Sequence, residues 1–390
     1  MIVGLKGRVC SKGIWDESVP GITFDENGVS NYAKMLLELS KIYPRDEKGL
    51  KDWLNIVDKV KELGKKSKYD CIVGVSGGTD SSFLLYLLKK KYDLRILAVN
   101  MDNGWNSDIA VNNIKNITKE LDIDLFTWVI DYEEVKKVLR SYLFSSLPWV
   151  DAPTDLSINA VLYKTAINEN VKFIFTGSDF RTEGKQPIEW TYIDSKQFNF
   201  IVRKLNNHRL KTYPIHSLSD LLIYKFHFKI NNIRPYYFLD YKKKTAQDFL
   251  IKNFNWQYYG GHHHENKFTK FIIGYWLPVK FGIDKRKITL SAQVLFNELT
   301  REEAIELINK PAYPEDEMEK DKNYICKKLE ITNEQFQRAL NQKNKSIYDY
   351  PSYLPLIKKL GKFSQFLASK TYNFIPTSFI ETNIRNRNNQ

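Results

Sequence analysis

The run Cys71-Ile72-Val73-Gly74-Val75 leads straight into Ser76-Gly77-Gly78-Thr79-Asp80-Ser81-Ser82 and on into a Leu-rich stretch ending near Lys90. A short, apolar, β-branched segment suits a strand covered on both faces of a parallel sheet. Leu84, Leu87 and Leu88 then recur at helical spacing, so the paired glycines turn the chain between a strand and a helix. The turn aims the helix N-terminus, with its unpaired N–H groups and positive dipole end, at the space beyond the strand. An anion is the natural occupant. Asp80 in the first turn reads either as a dipole-stabilising acid or as a carboxylate holding a metal bound to phosphate.

The segments around this turn repeat the alternation. Residues 94–99, 125–130 and 172–176 read as further strands, with helical periodicity at 109–121, 135–139 and 156–167 between them. The expected fold class is therefore α/β, a doubly wound, mostly parallel sheet, followed by a helical C-terminal lobe with helices at 218–228, 245–254, 301–308 and 333–340. Before it, Asp25-Glu26-Asn27-Gly28 reads as a hairpin turn, and Leu50, Trp53, Leu54, Val57 and Val60 as one face of a helix that ends at Gly64. The expected divisions are 1–68, 69–215 and 216–390, with residues 383–390 as a fraying polar end.

Lys and Arg number 59 against 46 Asp and Glu, a net charge of +13 that suits anionic partners or an ordinary alkaline surface. Cys10, Cys71 and Cys326 lie far apart, which excludes a disulfide framework and a Cys-only metal site. With no apolar run of membrane-spanning length and no apolar signal core at the N-terminus, a soluble, cytoplasmic protein is expected.

Ligands of an open parallel sheet bind beyond the carboxyl ends of its strands, at the reversal of strand order. That rule selects Val75 and Ser76 to Ser81, then Asn100 and Asp102 in Asn100-Met101-Asp102-Asn103-Gly104, and then Gly177-Ser178-Asp179 with Glu183. The two later segments read equally well as an ordinary turn and an Asx turn. The first lacks the Lys-Ser or Lys-Thr pair of a Walker loop and the spaced glycines of a dinucleotide fingerprint. Ser76, Gly77, Gly78, Asp80 and Ser81 instead resemble the Ser-Gly-Gly-x-Asp-Ser signature of the PP-loop ATP pyrophosphatases. The resemblance implies that Ser76, Gly77, Gly78, Thr79, Asp80 and Ser81 hold the β and γ phosphates of ATP, with Ser76 and Asp80 catalytic and Asp80 meeting Mg²⁺ through pyrophosphate.

Further motifs at 20–29, 101–107, 259–271, 280–286 and 299–304 are similar to the N-acetyl sugar amidotransferases of bacterial surface-glycan biosynthesis. This implies that ATP adenylates the acetamido oxygen of an N-acetylated sugar or nucleotide sugar and ammonia displaces AMP, leaving an acetamidino group. Ammonia would come from a separate glutaminase through a cyclase-like subunit. Glu183, His263, Glu265, Lys270 and Arg286 are the candidates for sugar and phosphate recognition. The family's two Cys pairs fall here on Cys10, Gly13, Ser30 and Ala33, so no zinc is expected, and Ile22, Phe24 and Val29 must hold the hairpin by packing. His262-His263-His264 project in different directions, which favours sugar or nucleotide contact, or plain exposure, over a metal site. Two other readings stand beside this one: a tRNA-modifying PP-loop enzyme of the lysidine type, although nucleic acid is the less favoured partner, and a non-catalytic nucleotide-binding subunit.

Overall fold

The computed structural model describes residues 2–363 except 262, 357 and 362. The helices are α1 Asn31–Ile42, α2 Glu47–Gly64, α3 Thr79–Tyr86, α4 Asp108–Glu120, α5 Tyr132–Leu143, α6 Ala152–Asn168, α7 Phe180–Glu183, α8 Ile188–Thr191 and α9 Ser195–Asn199. They continue as α10 Leu218–Phe226, α11 Lys243–Phe254, α12 Lys267–Phe271, α13 Arg286–Leu295, α14 Arg301–Ile308, α15 Glu315–Leu329 and α16 Asn333–Asn341. The strands are β1 Cys71–Gly74, β2 Ile96–Asp102, β3 Asp124–Val129, β4 Phe173–Phe175 and β5 Asn231–Ile233.

All five strands run parallel in the order β3-β2-β1-β4-β5. The reversal of order falls between β1 and β4, where Ile72 pairs Ile174 and Val73 pairs Phe175. Alternate residues serve two cores. Ile72, Leu97, Val99 and Ile174 face α1, α5 and α6, whereas Cys71, Val73, Ala98, Phe173 and Phe175 face α2, α3, α4 and α11. This two-sided covering explains the near-continuous apolar runs and bears out the doubly wound expectation. β3 departs from its expected burial: as an edge strand it leaves Leu125, Phe126 and Val129 exposed.

The sheet runs past residue 215. β5 pairs with β4 beyond the expected lobe boundary, and α11 packs on α3, so the later helices share both cores with the earlier part of the chain. In α2 only Trp53, Val57 and Val60 of the expected stripe are buried; Leu50 and Leu54 face solvent. The hairpin forms as read, through a Phe24–Ser30 bridge and Gly28 at φ +74°. There Ser30 N donates to Cys10 Sγ at 3.2 Å, Ser30 Oγ caps α1 at Ala33 N, and the Trp15 ring fills the space a side chain at Gly13 would need. Ile22, Phe24 and Val29 pack against this core. No helix among the described residues is long and apolar enough to cross a membrane. Residues 383–390 lie outside the described residues.

Candidate active site

The turn after β1 is shaped by contacts on every side. Gly77 has φ +78°, and a Cβ there would lie 2.3 Å from the Ala110 carbonyl oxygen, so no side chain fits between the turn and α4. Its own carbonyl accepts from Asn113 Nδ2 and Trp256 Nε1, both at 3.2 Å, which directs the neighbouring N–H groups the other way. Ser76 Oγ accepts from Gly78 N at 3.3 Å, Ser81 Oγ accepts from Ser76 N at 3.3 Å, and Tyr259 Oη accepts from Thr79 N at 3.2 Å. Gly78 caps α3 without a side chain. From β4, Gly177 presses so close that a Cβ would sit 2.9 Å from the Asp80 carbonyl carbon. The loops after β1 and β4 thus meet at the point of strand reversal, where an open sheet binds its ligand.

Asp80 is not the freely exposed helix-start residue the sequence suggests. Its Oδ2 accepts from Lys243 Nζ at 2.9 Å, its Oδ1 from the Tyr241 hydroxyl, and its carbonyl from Tyr236 Oη at 2.7 Å. Burial works against the Lys243 charge, but Asp80, Tyr259 and Glu183 outweigh it and hold the ammonium charged well above its ordinary range. Burial and then the Asp80 charge push the Glu183 carboxyl upward. Among the described residues no trio of His, Cys, Asp or Glu is arranged to hold a metal by itself. Mg²⁺ needs less, one or two carboxylates beside substrate phosphates. The Asp80 charge acts on Glu183, and Asp80, whose two oxygens are on Lys243 and Tyr241, would join that donor set by releasing one of them.

Residues 50–147 match the family described as NAD synthase, and residues 265–362 match the C-terminal domain of LPS biosynthesis protein WbpG-like. Two separate segments thus resemble two families, one around the phosphate turn and one toward the C-terminal end of the described residues. An uncharacterized protein of Methanocaldococcus jannaschii, MJ1599, is 37% identical over 99 residues, 25% of this chain and 35% of that one. A tRNA(Ile)-lysidine synthase of Clostridium tetani is 36% identical over 90 residues, 22% of this chain and 19% of that protein. The chain spans about a third or less of the length of these relatives. Among solved structures, the NH3-dependent NAD synthetase of Campylobacter jejuni aligns at TM-score 0.27 and 16% identity, over 53% of this chain and 94% of that one. NMN synthetase of Francisella tularensis aligns at TM-score 0.27 and 14% identity, over 56% and 96%.

The WbpG-like segment reaches the phosphate turn through Glu265. Asn106 bridges Asn266, Ser107 N donates to Glu265 O at 2.8 Å, and a Cβ on Gly78 would lie 3.6 Å from Glu265 Oε1. His263 Nδ1 stands 3.5 Å from the same carboxylate; burial opposes the imidazolium charge, but Glu265 raises its pKa. Glu183, His263 and Glu265 thus come together beside the turn.

Other sequence candidates do not join them. Lys270 is tied to Glu317 at 2.9 Å and Asp321 at 3.1 Å. Arg286 spends its guanidinium on Asp284 and the carbonyls of Leu307 and Ile308. Asp102 accepts from Gly104 N at 2.7 Å, the ordinary-turn reading, and Asp179 caps α7 and pairs with Arg45 at 2.8 Å, as an Asx turn would. Asn100 is buried within β2, and Val75 N is bonded to Val99 O. His264 packs edge-on against Tyr313, and His262 lies outside the described residues.

The structure adds residues that the sequence did not single out. Lys243 was hidden in the run Lys242-Lys243-Lys244, which reads as a solvated face. Lys285 adjoins Arg286 in one motif but turns the other way: its Nζ lies 3.6 Å from the centroid of the Trp149 ring. Trp149 Nε1 donates to Asp155 Oδ2 at 2.7 Å, and Asp151, the residue before α6, accepts from the Thr269 hydroxyl. Burial pushes Lys285 down to about 8 although Asp155, Asp151 and Glu183 oppose it. Burial and the Asp155 charge push Asp151 up to about 7. Asp155 is exposed and the His263 side chain is partly so.

Proposed function

We propose that this chain is an ATP-dependent amidotransferase that converts the N-acetyl group of a sugar into an acetamidino group, releasing AMP and pyrophosphate, in bacterial surface-glycan biosynthesis. The observation that carries the reading is the meeting, at the point of strand reversal, of the glycine turn Ser76 to Ser81 with Lys243 on Asp80 and with the Glu265 carboxylate beside Gly78. The NAD-synthase-like match over the turn and the WbpG-like match over the segment beside it support it.

An amide oxygen is a poor leaving group, and bonding it to AMP makes it a good one. On this reading the N–H groups at the start of α3 and Lys243 meet the phosphates that depart as pyrophosphate, where positioned charges contribute most. Mg²⁺ held by Asp80 and Glu183 would neutralise charge on those oxygens. Glu265 and His263 bound the acceptor side. Cys10, Cys71 and Cys326 are all buried, so this chain offers no exposed thiol for glutamine hydrolysis. Ammonia is therefore supplied from outside it, by a glutaminase and an ammonia-channelling cyclase-like subunit.

The test is incubation with ATP, Mg²⁺, ammonium and a panel of N-acetylated nucleotide sugars and nonulosonic acids, following AMP and pyrophosphate. Acceptor-dependent formation of both, with a product one mass unit lighter, supports the proposal. The tRNA reading keeps its footing on the +13 charge and the lysidine-synthase similarity. AMP release that depends on tRNA and ignores every sugar would replace the proposal with it.

A further inference from the structure

One of the groups at the phosphate turn comes from far outside it. Tyr259 stands 180 positions from Thr79, yet its hydroxyl oxygen accepts from Thr79 N, the first N–H of α3, at 3.2 Å. Helix starts are ordinarily capped by the side chain just before them, and Gly78 in that place has none. A Cβ on Gly78 would lie 3.1 Å from Tyr259 Oη, 3.2 Å from Ser76 Oγ and 3.6 Å from Glu265 Oε1, so three side-chain oxygens ring the glycine. The hydroxyl is held there by the residues that shape the turn itself. The Tyr259 ring meets Trp256 edge-on at 5.7 Å, and Trp256 Nε1 donates to Gly77 O. Asn113, the other donor to Gly77 O, also clamps both backbone groups of Gln257 at 2.8 Å. Turn and hydroxyl are therefore placed by the same two side chains.

A phenol that accepts one bond keeps a proton to give, and the Tyr259 hydroxyl donates to no described residue. Burial, then the Glu265 charge, raise its pKa, so the proton stays on the oxygen. An amide N–H that feeds a hydroxyl oxygen also strengthens the bond which that hydroxyl gives in turn. We propose that Tyr259 is a phosphate-binding residue, its O–H donating to an oxygen of the ATP triphosphate and, after adenylation, of the departing pyrophosphate. The chain from Thr79 N–H through the Tyr259 hydroxyl to phosphate lengthens the turn by one donor. This rests on reading the turn as an ATP pyrophosphatase site, and it adds to that site a residue absent from the Ser76 to Ser81 signature. A neutral hydroxyl supplies a charge-assisted bond to the anion without bringing another cation to be desolvated.

The test titrates inorganic pyrophosphate and ATP by calorimetry into wild type, Tyr259→Phe, and a protein with 3-fluorotyrosine in place of Tyr259. Wild type should bind both ligands, and Tyr259→Phe should bind each about tenfold more weakly. Fluorine makes the phenol a better donor and a poorer acceptor, so the fluorinated protein should bind both at least twofold more tightly. A hydroxyl that only caps α3 works as an acceptor, and one that only plugs the turn competes with the anion. Tyr259→Phe binding as tightly as wild type or more so, or fluorination weakening the anion or leaving it unchanged, therefore overturns the assignment, and the fluorinated protein decides alone if Tyr259→Phe does not fold. Wild type that binds neither pyrophosphate nor ATP overturns the ATP reading of the turn and this inference with it, so the two failures are told apart.

Discussion

Replacing Gly77 by Ala tests whether the anion site depends on the closeness of the turn to α4. The new Cβ would stand 2.3 Å from the Ala110 carbonyl oxygen and 2.9 Å from its carbonyl carbon and Cα, all backbone atoms of a helix that cannot swing aside like a side chain. Relieving the overlap needs a displacement of about 1 Å, and overpacking of this kind costs about 1–3 kcal/mol. The φ of +78° adds about 1–2 kcal/mol for a residue with a Cβ. Gly4→Ala supplies the control, because Gly4 shares a positive φ of +66° but has nothing within 4 Å of the new atom. Denaturant titration should show Gly77→Ala losing about 2–5 kcal/mol and Gly4→Ala only about 1–2. A 1 Å misplacement of the cradle should also cut AMP formation about a hundredfold in the folded fraction. Equal stability losses with unchanged AMP formation would refute the idea that the turn is moulded against α4.

Three further outcomes are expected. Lys287→Met leaves the Asp16 carboxylate, at 0% exposure, without the ammonium now 2.6 Å away, and should cost about 3 kcal/mol in denaturant titration, the low end for a broken buried pair because Lys6 N and Ser18 still donate to Asp16. Asp80→Asn and Lys243→Met should each lower AMP formation about 10²–10³-fold, and because Asp80 is also bonded to Tyr241, melting curves must accompany the assay. Asp155 acts on the Asp151 charge, so the apparent Asp151 value belongs to the pair. Because the folded Asp151 holds its proton more tightly than the unfolded chain does, stability should fall as pH rises from about 4 to about 7, and Asp151→Asn should flatten that slope.

The phosphate turn and its strand were legible because they are local: β-branched residues, two glycines and a helical repeat within some twenty positions. So was the alternation of strands and helices. β5 escaped notice because Asn231-Asn232-Ile233 has only one apolar residue and owes its place to pairing with β4. Arg286 and Lys285 show the limit of reading charge from sequence. Both are cations in one motif, but successive residues at a helix start point in different directions, so one caps the end of α14 and the other lies on the Trp149 ring. Asp80 was read correctly as a first-turn acid, yet its partners Tyr241 and Lys243 lie more than 150 positions away and carry no local signature.

The two donors that pin the Gly77 carbonyl come from unlike places, Asn113 on the neighbouring helix and Trp256 far along the chain. The cradle is thereby set by residues that no excised nucleotide-binding segment would contain. A fragment cut at residue 215 would carry every letter of the signature but lack Trp256, Tyr259, Lys243 and the fifth strand. Grafting the signature onto another parallel sheet would import a floppy glycine loop rather than a rigid mould. Motif and machine are different lengths of chain, and any transplant of the turn must carry Lys243, Trp256, Tyr259 and Glu265 with it.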